Sequence, residues 1–235
     1  MNLIGIISTT HVMAKSELWK KAKPKKIQTE FGPATIYLTE STALILRHGN
    51  DPDHHILPHM INYRANLGAL QKIGVTEIVG VNSSGSLKKD LPPGVIVIPD
   101  DFIAFTAPPT VFRDSATHIT PDLNEEVRRK LIKAAQSCSI PVREKATYWQ
   151  TPGPRLETKA EIKMMSTFAD IVGMTMASEA IIARELGLRY ASACSVDNFC
   201  HGILDEPLSM EKILAGTRKN AALIRKLLQY FIKEP

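Results

Sequence analysis

The sequence predicts a three-layer α/β fold: a mixed, largely buried β-sheet flanked by helices, in one domain covering residues 1–235. Three observations lead there. Short apolar runs rich in Ile, Val and Leu recur and stop at polar clusters. Segments of helical spacing lie between them, and several close on glycine. The 235 residues, 44% hydrophobic and 23% charged, match an average globular chain that can bury a core without disulfides or metals.

Residues 3–7 (LIGII) read as a buried strand that stops at Ser8-Thr9-Thr10. Residues 35–38 and 43–46 read as two further strands, separated by a Thr/Ser-rich turn. Residues 58–73 have helical spacing and end at Gly74, a residue suited to the left-handed position after a helix. Residues 76–81 form a strand running into the polar turn Asn82-Ser83-Ser84-Gly85, and residues 95–98 another after Pro92-Pro93-Gly94. Asp122 stands three residues before Glu125, an N-cap pattern for a helix reaching about Ser137. Residues 146–149 read as a strand, followed by the rigid turn Thr151-Pro152-Gly153-Pro154-Arg155. Helices are expected over residues 158–166 and 178–185, the second closed by Gly187. Residues 188–196 form an apolar strand of small residues, and residues 209–232 a long terminal helix.

Composition excludes a disordered, collagen-like or disulfide-scaffold chain. No apolar run approaches the ~18 residues of a membrane span, so no membrane partner is expected. The first ten residues hold a short apolar stretch without a basic start, which does not read as a signal peptide. Cys138, Cys194 and Cys200 are odd in number and widely spaced, as expected for reduced thiols in the cytoplasm, although Cys194 and Cys200 could pair. The net charge of +5 favours anionic ligands, phosphate or nucleic acid, without choosing between them. Lys20, Lys21, Lys23, Lys25 and Lys26 surround Pro24 and read as a solvated loop. With 6% aromatic residues and none interleaved in that run, no base-stacking platform and no nucleic-acid partner are expected.

Three polar segments follow strands, where α/β proteins bind ligands: Ser8-Thr9-Thr10, Arg47-His48-Gly49 and Asn82-Ser83-Ser84-Gly85-Ser86. Hydroxyls and backbone N–H groups at such turns can cradle an oxyanion, and Arg47 adds a planar fork that matches phosphate. The same residue types are also common turn formers. Neither a P-loop nor a dinucleotide-binding glycine motif occurs. His54, His55 and His59 lie near Asp51 and Asp53, but Pro58 interrupts the helix that would present a His pair, and loop histidines are the reading; no metal is expected.

The C-terminal half carries Gly153-Pro-Arg-Leu-Glu-Thr-Lys-Ala-Glu161, Val172-Gly-Met-Thr-Met-Ala-Ser-Glu179 and Ser195-Val-Asp-Asn-Phe199. With Arg47-His48-Gly49, HILPHMINYRAN (residues 55–66), Ser84-Gly-Ser-Leu87, and Pro93 to Pro99 followed by Asp101-Phe102, these blocks span nearly the whole chain. In them the sequence resembles the purine nucleoside phosphorylase and methylthioadenosine phosphorylase family, and is nearest in motif to the 6-oxopurine (methylthioinosine) branch.

That resemblance implies a mixed sheet flanked by helices, a homo-oligomer (a trimer or dimer of trimers), and attack of inorganic phosphate on C1′ of a purine nucleoside. No metal or organic cofactor is implied; phosphate is a co-substrate. The implied phosphate ligands are Thr10, Arg47, His48, Asn82, Ser83 and Thr175. Met174 would pack on the ribose, Leu156 and Glu157 would line the base pocket, and Asp197, Asn198 and Phe199 would face the purine. Asp197, if protonated, or Asn198 would donate to the leaving base as it gains negative charge. His118 would approach the 5′ end from a neighbouring subunit. The chain departs from the family at Ser8-Thr9-Thr10-His11, where a Gly-Gly-Thr-Gly turn is usual, so Thr10 keeps its hydroxyl without flanking glycines and Ser8 could share its role.

For base choice, the resemblance implies a 6-oxopurine. Methylthioadenosine phosphorylases usually place a small hydroxyl residue at the position of Glu157, whose carboxylate accepts from a ring N1–H. Asn198 can donate to the 6-oxo group. Asp197 points the other way, since a carboxylate accepts from adenine's amino group. The alternatives are a 5′-methylthioadenosine phosphorylase and an inactive nucleic-acid-binding member of the fold; a hydrolase fits poorly with a site built around an anion.

Overall fold

A computed structural model describes residues 3–51, 54–106, 109–205 and 208–233; Asp53, beside the histidine cluster, lies outside them. The strands are β1 (Ile4–Ser8), β2 (Lys23–Thr29), β3 (Gly32–Leu38), β4 (Thr42–Leu46), β5 (Glu77–Ser86), β6 (Ile96–Val97), β7 (Asp101–Ile103), β8 (Val142–Arg143), β9 (Thr147–Gln150), β10 (Ile171–Gly173) and β11 (Arg189–Phe199). The helices are α1 (Thr10–Met13), α2 (Glu17–Lys21), α3 (Tyr63–Lys72), α4 (Glu125–Ser137), α5 (Lys159–Phe168), α6 (Met176–Glu185) and α7 (Met210–Lys233).

The strands form one mixed sheet. β1 is parallel to both β4 and β5, β11 is parallel to β5, and β10 runs antiparallel to β5. Side chains alternate across this sheet with period two. Ile7, Ile45, Ile78 and Tyr190 enter the core shared with α3 and α6. Their sequence neighbours Ile6, Leu44, Val79 and Ala191 enter the core shared with α4 and α7. Each fully buried Ile or Leu contributes about 1.5–3 kcal/mol, so alternation on four central strands secures both outer layers. A smaller cluster, including Trp149, Ile162 and Met165, seats α5. The three-layer expectation holds, and Gly74 and Gly187 take the foreseen left-handed positions at φ 85° and 71°. Among the described residues no helix is long and apolar enough to cross a membrane. The three cysteines are buried free thiols, and burial pushes the Cys194 thiol up to about 12.

Several boundaries move, for identifiable reasons. The lysine run is not a loop. Lys20 and Lys21 close α2, and Lys23, Lys25 and Lys26 lie on β2, an edge strand pairing antiparallel with β3. Lysine and proline suit an edge because they discourage further strand addition. The helix expected from Pro58 starts at Tyr63, since the Asn62 side chain accepts from the Ala65 N–H; Pro58–Met60 is a separate 3₁₀ turn. Asn124, not Asp122, caps α4 by accepting from the Val127 N–H. Burial of Leu123 and the bond from the Asn124 N–H to the Tyr190 carbonyl at 2.7 Å hold the preceding segment extended, and Asp122 sits 3.8 Å from Arg184 instead. Asn82-Ser83-Ser84-Gly85 is not a turn. It continues β5, paired with β11 as far as Ser86 opposite Phe199. Polar side chains are tolerated there because Asn82, Ser83, Ser84 and Ser86 all find partners.

Candidate active site

The site opens where the sheet divides. β1 accompanies β5 through Gly80, and β10 joins the same strand only at Gly85. Between these points one edge of β5 has no strand beside it, and Arg47, at the end of β4, reaches into the gap. The cavity there has a volume of about 340 Å³. Arg47, His48, Ser83 and Thr175 line one part of it, and Leu156, Glu157, Met174 and Asn198 another. Eight of the residues expected from sequence thus meet around one space.

Arg47 is 2% exposed. Its Nε donates to Glu179 Oε1 at 2.6 Å and its Nη2 to Glu179 Oε2 at 3.2 Å. Nη2 also donates to the Ile7 carbonyl, and Nη1 to the Val81 carbonyl at 2.6 Å. The fork is therefore engaged by Glu179. Of five N–H hydrogens, one on Nη1 remains without an acceptor among the described residues. Glu179 also accepts from the Tyr190 hydroxyl at 2.7 Å, and burial first, then the Glu179 charge, raises the Tyr190 phenol well above its usual range.

His48 contacts the Ile56 carbonyl through Nδ1 at 2.7 Å, so Nδ1 carries the hydrogen and Nε2 is left as an acceptor. Burial, then the Arg47 charge, lowers its pKa to about 4, and the His55 ring stacks on it at 4.6 Å. A neutral His48 keeps an Nε2 lone pair that can accept from a ligand hydroxyl. Thr175 caps α6 but makes no side-chain capping bond; its hydroxyl accepts from Asn82 Nδ2 at 2.8 Å and keeps its own hydrogen to donate. The N-terminus of α6 thus brings the positive end of the helix dipole to the cavity. Asn82 lies behind this wall, with its Oδ1 accepting from Ser192 at 2.7 Å and its Nδ2 donating to Thr175.

Thr10 lines an adjoining cavity with His11, Gly49 and His55, and its hydroxyl donates to the Gly49 carbonyl at 3.0 Å. Without the usual glycines, Ser8 ends β1 and Thr9 caps α1 through its side chain. Ser8 is fully buried, and Thr9 rather than Ser8 reaches the central cavity. His54 pairs with Asp51 at 2.8 Å. His118 is exposed and lines no part of the central cavity.

Glu157 is half-buried on the turn before α5, and its Oε1 accepts from the Thr151 hydroxyl at 2.6 Å. Its other oxygen has no hydrogen-bond donor among the described residues. Asn198 donates one amide hydrogen to the Phe199 carbonyl at 3.0 Å. Asp197 and Phe199 line a second adjoining cavity instead of the central one. Asp197 is 2% exposed and accepts from Ser83 Oγ at 2.5 Å, Thr217 Oγ1 at 2.8 Å and Asn220 Nδ2 at 2.7 Å.

Sequence reasoning missed Glu179, Tyr190, Thr151, Thr217 and Asn220, which hold the lining residues in place. Glu179 had a visible signal, a lone carboxylate in the apolar helix MASEAIIA. It also missed the apolar wall of Leu208, Met210 and Ile213.

The family model described as the phosphorylase superfamily matches residues 10–233. A probable 6-oxopurine nucleoside phosphorylase of Archaeoglobus fulgidus is 40% identical, over 99% of this chain and 96% of its own. A probable S-methyl-5′-thioinosine phosphorylase of Methanocaldococcus jannaschii is 36% identical, over 98% and 92%. An S-methyl-5′-thioadenosine phosphorylase of Pyrococcus furiosus is 35% identical, over 97% and 91%. Among solved structures, methylthioadenosine phosphorylase from Schistosoma mansoni in complex with adenine superposes with a TM-score of 0.86 at 28% identity, covering 99% of this chain and 91% of that one.

Proposed function

The chain belongs to the phosphorylase superfamily, in its purine nucleoside and methylthioadenosine phosphorylase family, and from that premise we propose that it catalyses phosphorolysis of 6-oxopurine nucleosides, 5′-methylthioinosine among them. The products are the free base and a (methylthio)ribose 1-phosphate.

One observation carries the reading: a single cavity joins anion donors on one side to a carboxylate and an apolar wall elsewhere. A phosphate oxygen attacks C1′ as the bond to the purine nitrogen breaks, and the bond's electron pair leaves with the base. Thr175, the spare Nη1 hydrogen of Arg47 and the N-terminus of α6 hold the anion in line, so catalysis rests on positioning and electrostatics. Asn198 has a second amide hydrogen for the base as negative charge grows on it. Glu157 accepts from the N1–H of hypoxanthine, whereas adenine presents a lone pair there. Leu208, Met210 and Ile213 suit a 5′-methylthio group better than a hydroxyl. No metal or organic cofactor enters this chemistry.

The adenine reading, suggested by the name of the Pyrococcus relative, draws on Asp197 as an acceptor for the 6-amino group, but that carboxylate already has three donors. The test is base release from inosine, guanosine, adenosine, methylthioinosine and methylthioadenosine with and without phosphate. Phosphate-independent release, or a preference for the adenine compounds, overturns the reading. We also take the active form to be a homo-oligomer, a trimer or dimer of trimers. The exposed Leu57 and Met60, next to the cavity-lining Pro58, support a subunit contact beside the site. Light scattering at the monomer mass of 26.0 kDa for active enzyme would remove it.

A further inference from the structure

β11 carries one extra residue where it passes the cavity. Val196 pairs with Ser84 and Asn198 with Gly85, so Asp197 is a bulge without a partner in the ladder. A bulge re-aims side chains. Asn198 faces the central cavity, while Asp197 meets α7 and Ser83. The contact with α7 is close. Asn220 donates to the Val196 carbonyl at 2.8 Å as well as to Asp197, and any β-carbon at position 216 would collide with the Asp197 carbonyl, so Gly216 is what lets the helix approach. One turn before Thr217, Ile213 lines the cavity beside Met210.

The Ser83 hydroxyl has a single hydrogen, and it points to Asp197 at 2.5 Å. Asp197 is therefore linked on one side to a residue of the anion end and on the other to the helix that forms the apolar wall. We propose that Asp197 is a positioning residue rather than a purine contact: with Thr217 and Asn220 it ties Ser83 to α7 and couples nucleoside seating on that helix to phosphate capture. This inference rests on the proposed reading that the cavity holds phosphate and nucleoside together. In it, a nucleoside that packs against Met210 and Ile213 fixes α7, α7 fixes the Asp197 carboxylate, and the carboxylate, by taking the Ser83 hydrogen, aims the Ser83 lone pair so that it accepts from the hydroxyl of a hydrogen phosphate.

The test is steady-state kinetics with methylthioinosine and phosphate both varied. Thr217→Val removes one donor and keeps the shape. It is expected to raise KM for phosphate about five- to tenfold with kcat changed much less, the scale of one ordinary hydrogen bond. It is also expected to abolish the lowering of phosphate KM by saturating nucleoside. Thr217→Ser restores the hydroxyl and is expected within about twofold of wild type, which a purely structural role for the threonine methyl would not give. In a Ser83→Ala background, Thr217→Val should add less than about twofold, because the relay is already cut. Three outcomes overturn the proposal: unchanged phosphate KM in Thr217→Val with only a lower Tm, additive effects in the double variant, or a wild-type phosphate KM in Ser83→Ala. All three leave phosphate-dependent base release standing, so they are distinguishable from failure of the functional reading itself, which appears as release without phosphate.

Discussion

The two ends of the cavity are built differently. At the proposed anion end, Arg47 and Thr175 are 2% and 7% exposed, and the carboxylate that anchors Arg47, Glu179, is 1% exposed. Each comes from a strand end or helix terminus of the central layers, and each is held by a second buried group. At the proposed base end, Leu156 is 42% exposed and Glu157 is half-buried on a turn outside the sheet, fixed by one hydroxyl. The contrast separates two tasks. Holding an anion in line requires donors that do not move, and close-packed buried networks supply that. Choosing a base requires one or two polar atoms that can differ without disturbing the core, and an exterior turn supplies those. Changes at the first end should therefore lower stability and activity together, and changes at the second activity alone.

The sharpest way to break this comparison is Arg47→Ala. It leaves Glu179 buried with Tyr190 as its one side-chain donor among the described residues, and removing one partner of a buried pair costs about 3–5 kcal/mol. Urea unfolding should show that loss, and kcat/KM should fall about a hundredfold or more. Wild-type stability in this variant would mean that the pair is not structural. At the other end, Glu157→Ser should lower kcat/KM for methylthioinosine about a hundredfold relative to methylthioadenosine. Its stability should move by only about 1 kcal/mol, the scale of its one hydrogen bond to Thr151. An unchanged ratio removes Glu157 as the base reader.

Smaller effects sharpen the contrast. Tyr190→Phe takes one donor from Glu179 and should cost about 2 kcal/mol of stability, with little change in base preference. A shift in the methylthioinosine to methylthioadenosine ratio would show the two ends to be coupled through the sheet. His48 offers a pH handle. Its folded value of about 4 lies below its usual 6.5, so the unfolded chain binds the proton more tightly. The associated stability is fully present above pH 6.5 and is lost as the pH falls through 4. Between pH 7 and 5 the wild type should lose about 2 kcal/mol more than His48→Gln in matched urea titrations. Parallel losses in the two proteins would show that His48 titrates normally.

Much of this architecture was legible in the sequence. The paired apolar neighbours Ile6-Ile7, Leu44-Ile45 and Ile78-Val79 signal strands buried on both faces, and hence a three-layer fold, because period-two alternation is a local property of the chain. The glycines that close α3 and α6 were readable for the same reason. So were eight of the residues around the cavity, since motif order survives without knowledge of contacts. Tertiary structure decided the remainder. Asn82 to Ser86 look like a turn by composition but extend β5, because β11 supplies both the ladder and the partners for their side chains. The cap of α4 moved from Asp122 to Asn124 because Leu123 is drawn into the core. Arg47 looked like a free phosphate fork, yet its carboxylate partner stands far along the chain at Glu179. Asp197 looked like a base contact, yet a one-residue bulge turns it toward α7. In each of these cases the deciding partner is distant in sequence, and hydrogen-bond satisfaction on burial, which no local pattern encodes, selects the final geometry.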